Sequence, residues 1–483
     1  MSTDFSTQQI HIKRVYLFFI CSLMAAAATS VYYETLIPFV FPATLMFLVW
    51  VSTDYRKLFY GIFTVLPFSM EFYFEGPGIG TDLPSEPAMI LLSLIAAFVL
   101  IRRNFSMDLF FWKHPIFLIL SIHVAWLFLT VINSQNLLIS VKFFLAKIWY
   151  VIPFFILPLL IFKQQSDFEK VYRVLYKFLF CAILIVLIRH AQEDFSFISS
   201  YDVVRPFFRN HVSYAAICVV CLPFVWAFLV NADKGSSEKI LLSVVLVVFL
   251  TGIYFSYTRA AIIAIFIAIG AYIIMKKKWV IHALVLTALL FVSGVAFLTY
   301  NNKYLDFTPE FEKTISHTEF DNLIEATYKL EDISTMERVY RWMAGVEMIS
   351  DKPLMGFGPG TFYSHYKSYS ISRFQTYVSD NPDQSGIHNY FLMTFVEQGL
   401  FGFLIFLGLS IILLVISERV YHQTQNRQDR NMIMAIYLSY IIILSMLLIN
   451  DLIETDKVGP FFFVNAAALI LYHKLSADRP SEH

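Results

Sequence analysis

Apolar runs near the length of a bilayer crossing recur through this chain, and one long polar segment, residues 300–387, interrupts them. In hydrocarbon every backbone N–H and C=O must be satisfied within the chain, so runs of ~20 apolar residues confine the fold to membrane-spanning helices. About fourteen runs can be read, near 15–33, 36–51, 58–70, 87–101, 115–133, 139–162, 171–189, 210–230, 240–256, 259–275, 279–299, 388–416, 432–450 and 458–473. Charged residues are 15% of the sequence, well below the ~25% of a soluble domain. The expected fold class is all-α, a polytopic integral membrane protein with about 12–14 transmembrane helices and one large outer loop. N-terminal spans fill 1–200, further spans 201–299, the polar loop with short helices 300–387, and C-terminal spans 388–475.

The basic residues set the orientation. With the N-terminus inside, the inner loops hold Arg56 and Lys57, Arg102 and Arg103, Lys234 and Lys239, Lys276 to Lys278, and Arg419, Arg427 and Arg430. The outer loops 71–86 and 134–138 hold no Lys or Arg. This is the positive-inside pattern, and it puts both termini in the cytoplasm. His11, Lys13 and Arg14 before an apolar stretch and Ala25–Ala28 are similar to a cleavable signal peptide; an uncleaved first span is expected. The four cysteines lie in apolar runs, and Cys218-x-x-Cys221 reads as small buried residues, not a redox or metal pair.

Against that bias, Arg205, Arg209, Arg259, Arg338 and Arg341 fall outside, with Lys142 and Lys147 early in a span. Such groups face a cavity or partner, or else meet headgroup phosphates and snorkel. Ser334-Thr335-Met336-Glu337 has the form of a capping box and predicts a helix over about 335–350, ended by Asp351-Lys352-Pro353. On it Arg338, Arg341, Trp342 and Gly345 share one face, while Met336, Val339, Met343 and Val346 form an apolar face expected to pack down. Guanidinium groups grip phosphate oxygens bidentately. Gly356-Phe357-Gly358-Pro359-Gly360 follows a helix and contains a proline, so it reads as a tight surface turn and not a nucleotide loop. Tyr363, Tyr366, Tyr369 and Tyr377 suit sugar stacking or burial at the membrane interface.

His388 stands where the loop re-enters a helix. A neutral imidazole there can act as general base, and Asn389 can cap the helix or hold an acceptor hydroxyl. Glu397 lies on the opposite helical face and reads as structural. Cations beside one base suit transfer from a diphosphate, a good leaving group once its charge is compensated. No D-x-D, H-E-x-x-H or Cys/His cluster occurs, so neither a metal, another cofactor nor a nucleotide-sugar donor is expected.

The ordered run Glu337-Arg338…Trp342, Pro353-Leu354-Met355-Gly356-Phe357-Gly358, His388-Asn389 and Glu397-Gln398-Gly399-Leu400 resembles the bacterial O-antigen ligase and O-antigen polymerase superfamily. Ser256-Tyr257-Thr258-Arg259-Ala260 is similar to its S-x-x-R turn, and Arg205-Pro206…Arg209-Asn210-His211, more loosely, to its earlier arginine-bearing loop. The resemblance covers about 205–402, and about twelve spans are usual for its ligases, fewer than read here. It implies a C-type membrane glycosyltransferase-like fold in the bacterial inner membrane with a periplasmic active site. It also implies metal-independent transfer of a glycan from a polyprenyl-diphosphate donor to a sugar hydroxyl, on lipid A-core or on another lipid-linked glycan. A single displacement would invert the anomeric centre. By the same resemblance His388 activates the acceptor and Arg338, Arg259 and Arg209 bind diphosphate. Arg205, Arg341, Trp342, Asn389 and His211 complete the expected substrate-binding set. Membrane lipids, and no nucleic acid, are the other expected partners. A protein O-oligosaccharyltransferase, a flippase or a scaffold of an export complex are the competing readings.

Overall fold

The computed structural model describes residues 55–74, 79–104, 106–307, 332–375, 379, 381 and 385–477, with a few single positions before residue 30. Residues 1–61 cluster as one unit and Ile62–His483 as another, and apart from Tyr55–Gly61 at the start of the first helix all that follows lies within the second. The expected spans 15–33 and 36–51, the signal-like segment, Cys21 and Tyr377 lie outside the described residues.

Among the described residues the longer helices are α1 (Tyr55–Val65), α2 (Ser85–Arg102), α3 (Pro115–Ile132), α4 (Leu137–Ile161), α5 (Gln165–Ala191), α6 (His211–Asn231), α7 (Ser237–Tyr254), α8 (Arg259–Lys276), α9 (Val280–Thr299), α10 (Ile333–Asp351), α11 (Tyr390–Gln423), α12 (Arg427–Leu447) and α13 (Gly459–Ala477). Ten of them, α2 to α9 with α11 and α12, are long and apolar enough to cross a membrane. The chain is an all-α polytopic membrane protein.

Two expected spans come out differently. The run 58–70 ends as a helix at Val65, turns through Leu66–Phe68 and enters β1 (Met70–Phe74), which pairs antiparallel with β2 (Ile79–Leu83). The run 458–473 is helical as α13, but it carries Asn465, His473 and Lys474 and is almost wholly buried inside the bundle. Asn465 is satisfied there by Tyr172 Oη (2.7 Å) and Ser439 Oγ (3.1 Å). With α6 and α12 it makes the centre of the bundle, while α9 is exposed along nearly its whole length.

α11 is broken by design of its sequence. Gly399 sits at φ +69°, which glycine alone adopts without strain. A Cβ there would lie 2.0 Å from the Leu354 carbonyl oxygen. The Pro353–Gly360 segment docks into this break: Leu400 N–H donates to Pro353 O (2.8 Å), Phe357 N–H to Val396 O (3.0 Å) and Gly358 N–H to Glu397 O (2.9 Å). The glycine-rich turn is therefore buried, not superficial as expected from sequence. The α3–α4 link closes over it through Gln135 N–H to Phe357 O (3.2 Å) and Ser140 Oγ–H to Pro359 O (2.7 Å).

Candidate active site

α10 begins two residues earlier than its sequence suggests. Its cap is Asp332, whose carboxylate accepts from Thr335 N–H (3.0 Å), and not Ser334. A carboxylate is the stronger acceptor and the better partner for the helix dipole. Glu337 is thereby freed from any capping role. It pairs with Arg341 Nη2 (3.4 Å) and accepts from Ser379 Oγ (2.6 Å).

The faces of α10 also differ from expectation. The buried side carries Met336, Tyr340, Arg341, Ala344, Gly345 and Met348, whereas Val346 is exposed. The arginine-bearing face turns inward because it holds the chain that leads to His388. Arg341 Nη1 donates to Gly386 O (3.3 Å), Trp342 Nε1 to Ile387 O (3.1 Å), and Gly345 leaves room for Ile387, whose Cδ1 a Cβ would meet at 2.6 Å.

His388 lies at φ +55°, a left-handed conformation that a non-glycine residue holds only when its surroundings fix it. Its N–H donates to Asp451 Oδ2 (3.1 Å), and Asn389 caps α11 by accepting from Leu392 N–H (3.0 Å). Burial, then the charges of Arg338 and Arg341, push the imidazole pKa down to about 3, so it stands neutral at neutral pH. Asp451 moves the other way, up to about 7, through burial and the neighbouring Glu454. Glu454 in turn holds Lys147, which also donates to Tyr390 Oη (3.1 Å). Lys147 is thus a buried, paired cation and not a snorkelling one.

Beside this frame is a cavity of about 420 Å³ lined by Tyr201, His211, Arg259, Asp332, Arg338 and Trp342, among others. Three long helices open onto it with their first turns: α6 through His211, α8 through Arg259 and α10 through Ile333 to Thr335. Each helix N-terminus carries roughly half a positive charge, so the cavity is positive even before its arginines are counted. Arg259 is steadied by Asp332 (3.2 Å), and Arg338 by Ser334 Oγ (3.0 Å). Arg338 Nε, Arg341 Nε, His211 Nδ1 and Asp451 Oδ1 are buried with no hydrogen-bond partner. Such groups are costly unless a ligand or water engages them.

The structure brings Arg259, Arg338, Trp342 and His211 to one cavity; His388 and Arg341 are not in its lining, but His388 feels the charges of both Arg338 and Arg341. Arg205 and Arg209 go elsewhere. They line a second cavity of about 380 Å³ with Glu71, Asp82, Asp456 and Lys457. Glu71 and Asp82 are cross-strand partners in the β1–β2 hairpin, and Arg209 Nη2 bridges them at 3.1 and 3.0 Å. Like charges directly opposite repel, so the hairpin supplies the reason Arg209 is drawn there. The two cavities are neighbours along the chain: His211 and Asn450 line the first, Ser213 and Thr455 the second. Glu397 holds the glycine turn, accepting from Gly360 N–H (2.8 Å) and Phe362 N–H (3.1 Å). Tyr366 is buried on Phe362, their rings 5.0 Å apart.

Sequence reading did not single out Asp332, Tyr201 or Asp451. Asp332 carries the D-x-x-T form of an N-cap, a signal that was available. Asp451, Glu454 and Asp456 form an acidic group at the end of a span, and Glu454 and Asp456 pair with Lys147 and Lys457.

A family model described as O-Antigen ligase matches residues 242–407, which takes in Arg259, Asp332, Arg338, Trp342 and His388. No curated protein matches the chain.

Proposed function

We propose that this chain, whose residues 242–407 match the O-antigen ligase family, transfers a glycan from a polyprenyl-diphosphate carrier to a sugar hydroxyl at the periplasmic face of the inner membrane. The observation that carries this reading is the cavity where three helix N-termini, Arg259 and Arg338 meet beside His388. Its chemistry fits a diphosphate: planar guanidinium donors, helix N-termini and the buried, unpartnered Nε of Arg338.

In this mechanism Arg259 and Arg338 hold the diphosphate, and Arg341 and Trp342 fix the backbone of residues 386–387 so that His388 is aimed. The acceptor oxygen attacks the anomeric carbon as the carbon–oxygen bond to the diphosphate breaks. The hydroxyl proton passes to the His388 imidazole, and polyprenyl diphosphate leaves with the bonding electrons. The anomeric centre inverts. Part of the low His388 pKa comes from Arg338 and Arg341. A bound anion offsets those charges, so donor binding raises the basicity of His388 when a base is needed. The hairpin-lidded cavity, with Glu71, Asp82 and Arg209, offers carboxylates and a guanidinium to sugar hydroxyls, which suits the acceptor.

The test uses purified protein in detergent, a defined lipid-linked glycan and candidate acceptors, with no membrane gradient. Glycan joined to an acceptor, and lost in His388→Ala, supports the proposal. No transfer to any acceptor by a folded wild type contradicts it. Gene deletion then separates the two acceptor classes: single repeat units on the acceptor indicate a polymerase, long glycan stranded on its carrier a ligase.

A further inference from the structure

α6 and α8 begin at the active site with His211 and Arg259. About 20 Å further along them, at 1.5 Å per residue, Trp226 and Tyr272 meet edge to face with ring centroids 5.7 Å apart. These two rings line two cavities at once. One, of about 370 Å³, is otherwise walled by aliphatic side chains of α6, α7, α8 and α12, including Pro223, Ile269 and Leu438. The other, of about 310 Å³, lies towards the helix ends and is lined by Lys276, Arg427 and Arg430 with Tyr421 and Asn431.

No carboxylate among the described residues lines the basic compartment. Among the described residues no carboxylate lies within 4 Å of Lys276, Arg427 or Arg430. Asp429, their neighbour in sequence, is buried and lines neither cavity. Two of the cations are nevertheless held in place by rings: Lys276 Nζ sits 4.3 Å from the Tyr272 centroid and Arg430 Cζ 4.8 Å from that of Tyr421. Positioned cations without carboxylate partners attract an anion, and the rings limit what their ordering costs.

We propose that this paired cavity binds an anionic phospholipid, its phosphate among Lys276, Arg427 and Arg430 and an acyl chain in the groove between Trp226 and Leu438. Basic pockets between spanning helices select acidic headgroups by charge. A free phosphate has no use for the apolar compartment that shares Trp226 and Tyr272. A water-soluble partner cannot enter a groove that lies within the spanning length of four helices. The site is independent of the catalytic proposal, since it uses none of its residues.

The test is native mass spectrometry of the full chain in neutral detergent, titrated with dioleoyl phosphatidylglycerol or dioleoyl phosphatidylcholine. The wild type should retain the glycerol lipid at least about ten-fold more tightly. Lys276→Gln, Arg427→Gln and Arg430→Gln together should bring the two lipids within about two-fold. Leu438→Trp, which fills the groove and leaves every cation, should weaken phosphatidylglycerol about ten-fold. Equal retention of both lipids by the wild type overturns the proposal, as does an unchanged preference in the triple variant. Displacement by millimolar inorganic phosphate with no effect of Leu438→Trp overturns it in favour of a free-anion site. Should the triple variant not fold, salt on the wild type decides: the preference should collapse about ten-fold on going to high salt, and a salt-independent preference refutes the role of the cations.

Discussion

Asp451→Asn separates the electrostatics of the site from its shape. The asparagine carbonyl can still accept the His388 N–H that Asp451 Oδ2 accepts at 3.1 Å, but the titration is removed. In the folded protein the Asp451 pKa rises from 3.8 to about 7. Between those values the folded state holds a proton that the unfolded state has lost, so this residue's contribution to stability falls as pH rises and levels off above 7. At ~1.36 kcal/mol per pH unit, the two units between pH 5 and about 7 amount to about 2–3 kcal/mol. His388 works in the opposite direction. Its depressed pKa makes stability rise with pH between about 3 and 6.5. In the wild type the two effects oppose each other, so the informative quantity is the difference between variant and wild type, in which the His388 part cancels. Thermal unfolding at pH 5 and pH 8 measures it. The asparagine variant should gain on the wild type by about 2–3 kcal/mol between the two, roughly 2–4 °C for a chain of this size. Any penalty from the amide nitrogen is independent of pH and drops out. A difference that is the same at both pH values refutes the reasoning, because Asp451 then does not titrate in that window.

Arg338→Ala should lower transfer at least ~100-fold, and Arg338→Lys should recover little of it because an ammonium cannot make the bidentate contact; in vitro transfer rates check both. Glu397→Gln leaves one of the Gly360 and Phe362 amides without an acceptor and should cost about 1–3 kcal/mol of stability, seen as a lower unfolding temperature with the rate per folded molecule unchanged. Gly399→Ala drives a methyl to 2.0 Å from the Leu354 carbonyl at a positive φ, and should abolish recovery of monodisperse protein by size-exclusion chromatography. In Asp451→Asn, kcat/KM should show no acid limb between pH 5 and 7, because free His388 titrates near 3.

The spans were legible because their signal is local. Length and apolarity mark α2 to α9, α11 and α12 without reference to any partner. The site was legible in part for the same reason: Arg259, Arg338, Trp342 and His388 carry local motifs. What could not be read depends on contacts across the chain. Arg205 and Arg209 are four residues apart from each other and close in sequence to His211, yet Glu71 and Asp82, more than a hundred residues upstream, draw Arg209 into a different cavity. The inward turn of the Arg341 face of α10 depends on carbonyls at Gly386 and Ile387. The break in α11 at Gly399 takes its form from Leu354 and Met355 of the docked turn. The role of Asp451 follows from a backbone N–H at His388 across the bundle, which no spacing rule reveals.

The division of labour between the two cavities can be measured directly as the affinity of purified protein for polyprenyl diphosphate without glycan. Arg259→Ala and Arg338→Ala should each weaken binding at least about ten-fold, while Arg209→Ala leaves it unchanged. Loss of affinity in Arg209→Ala with none in Arg338→Ala would put the diphosphate beneath the hairpin and contradict the assignment of the three-helix cavity.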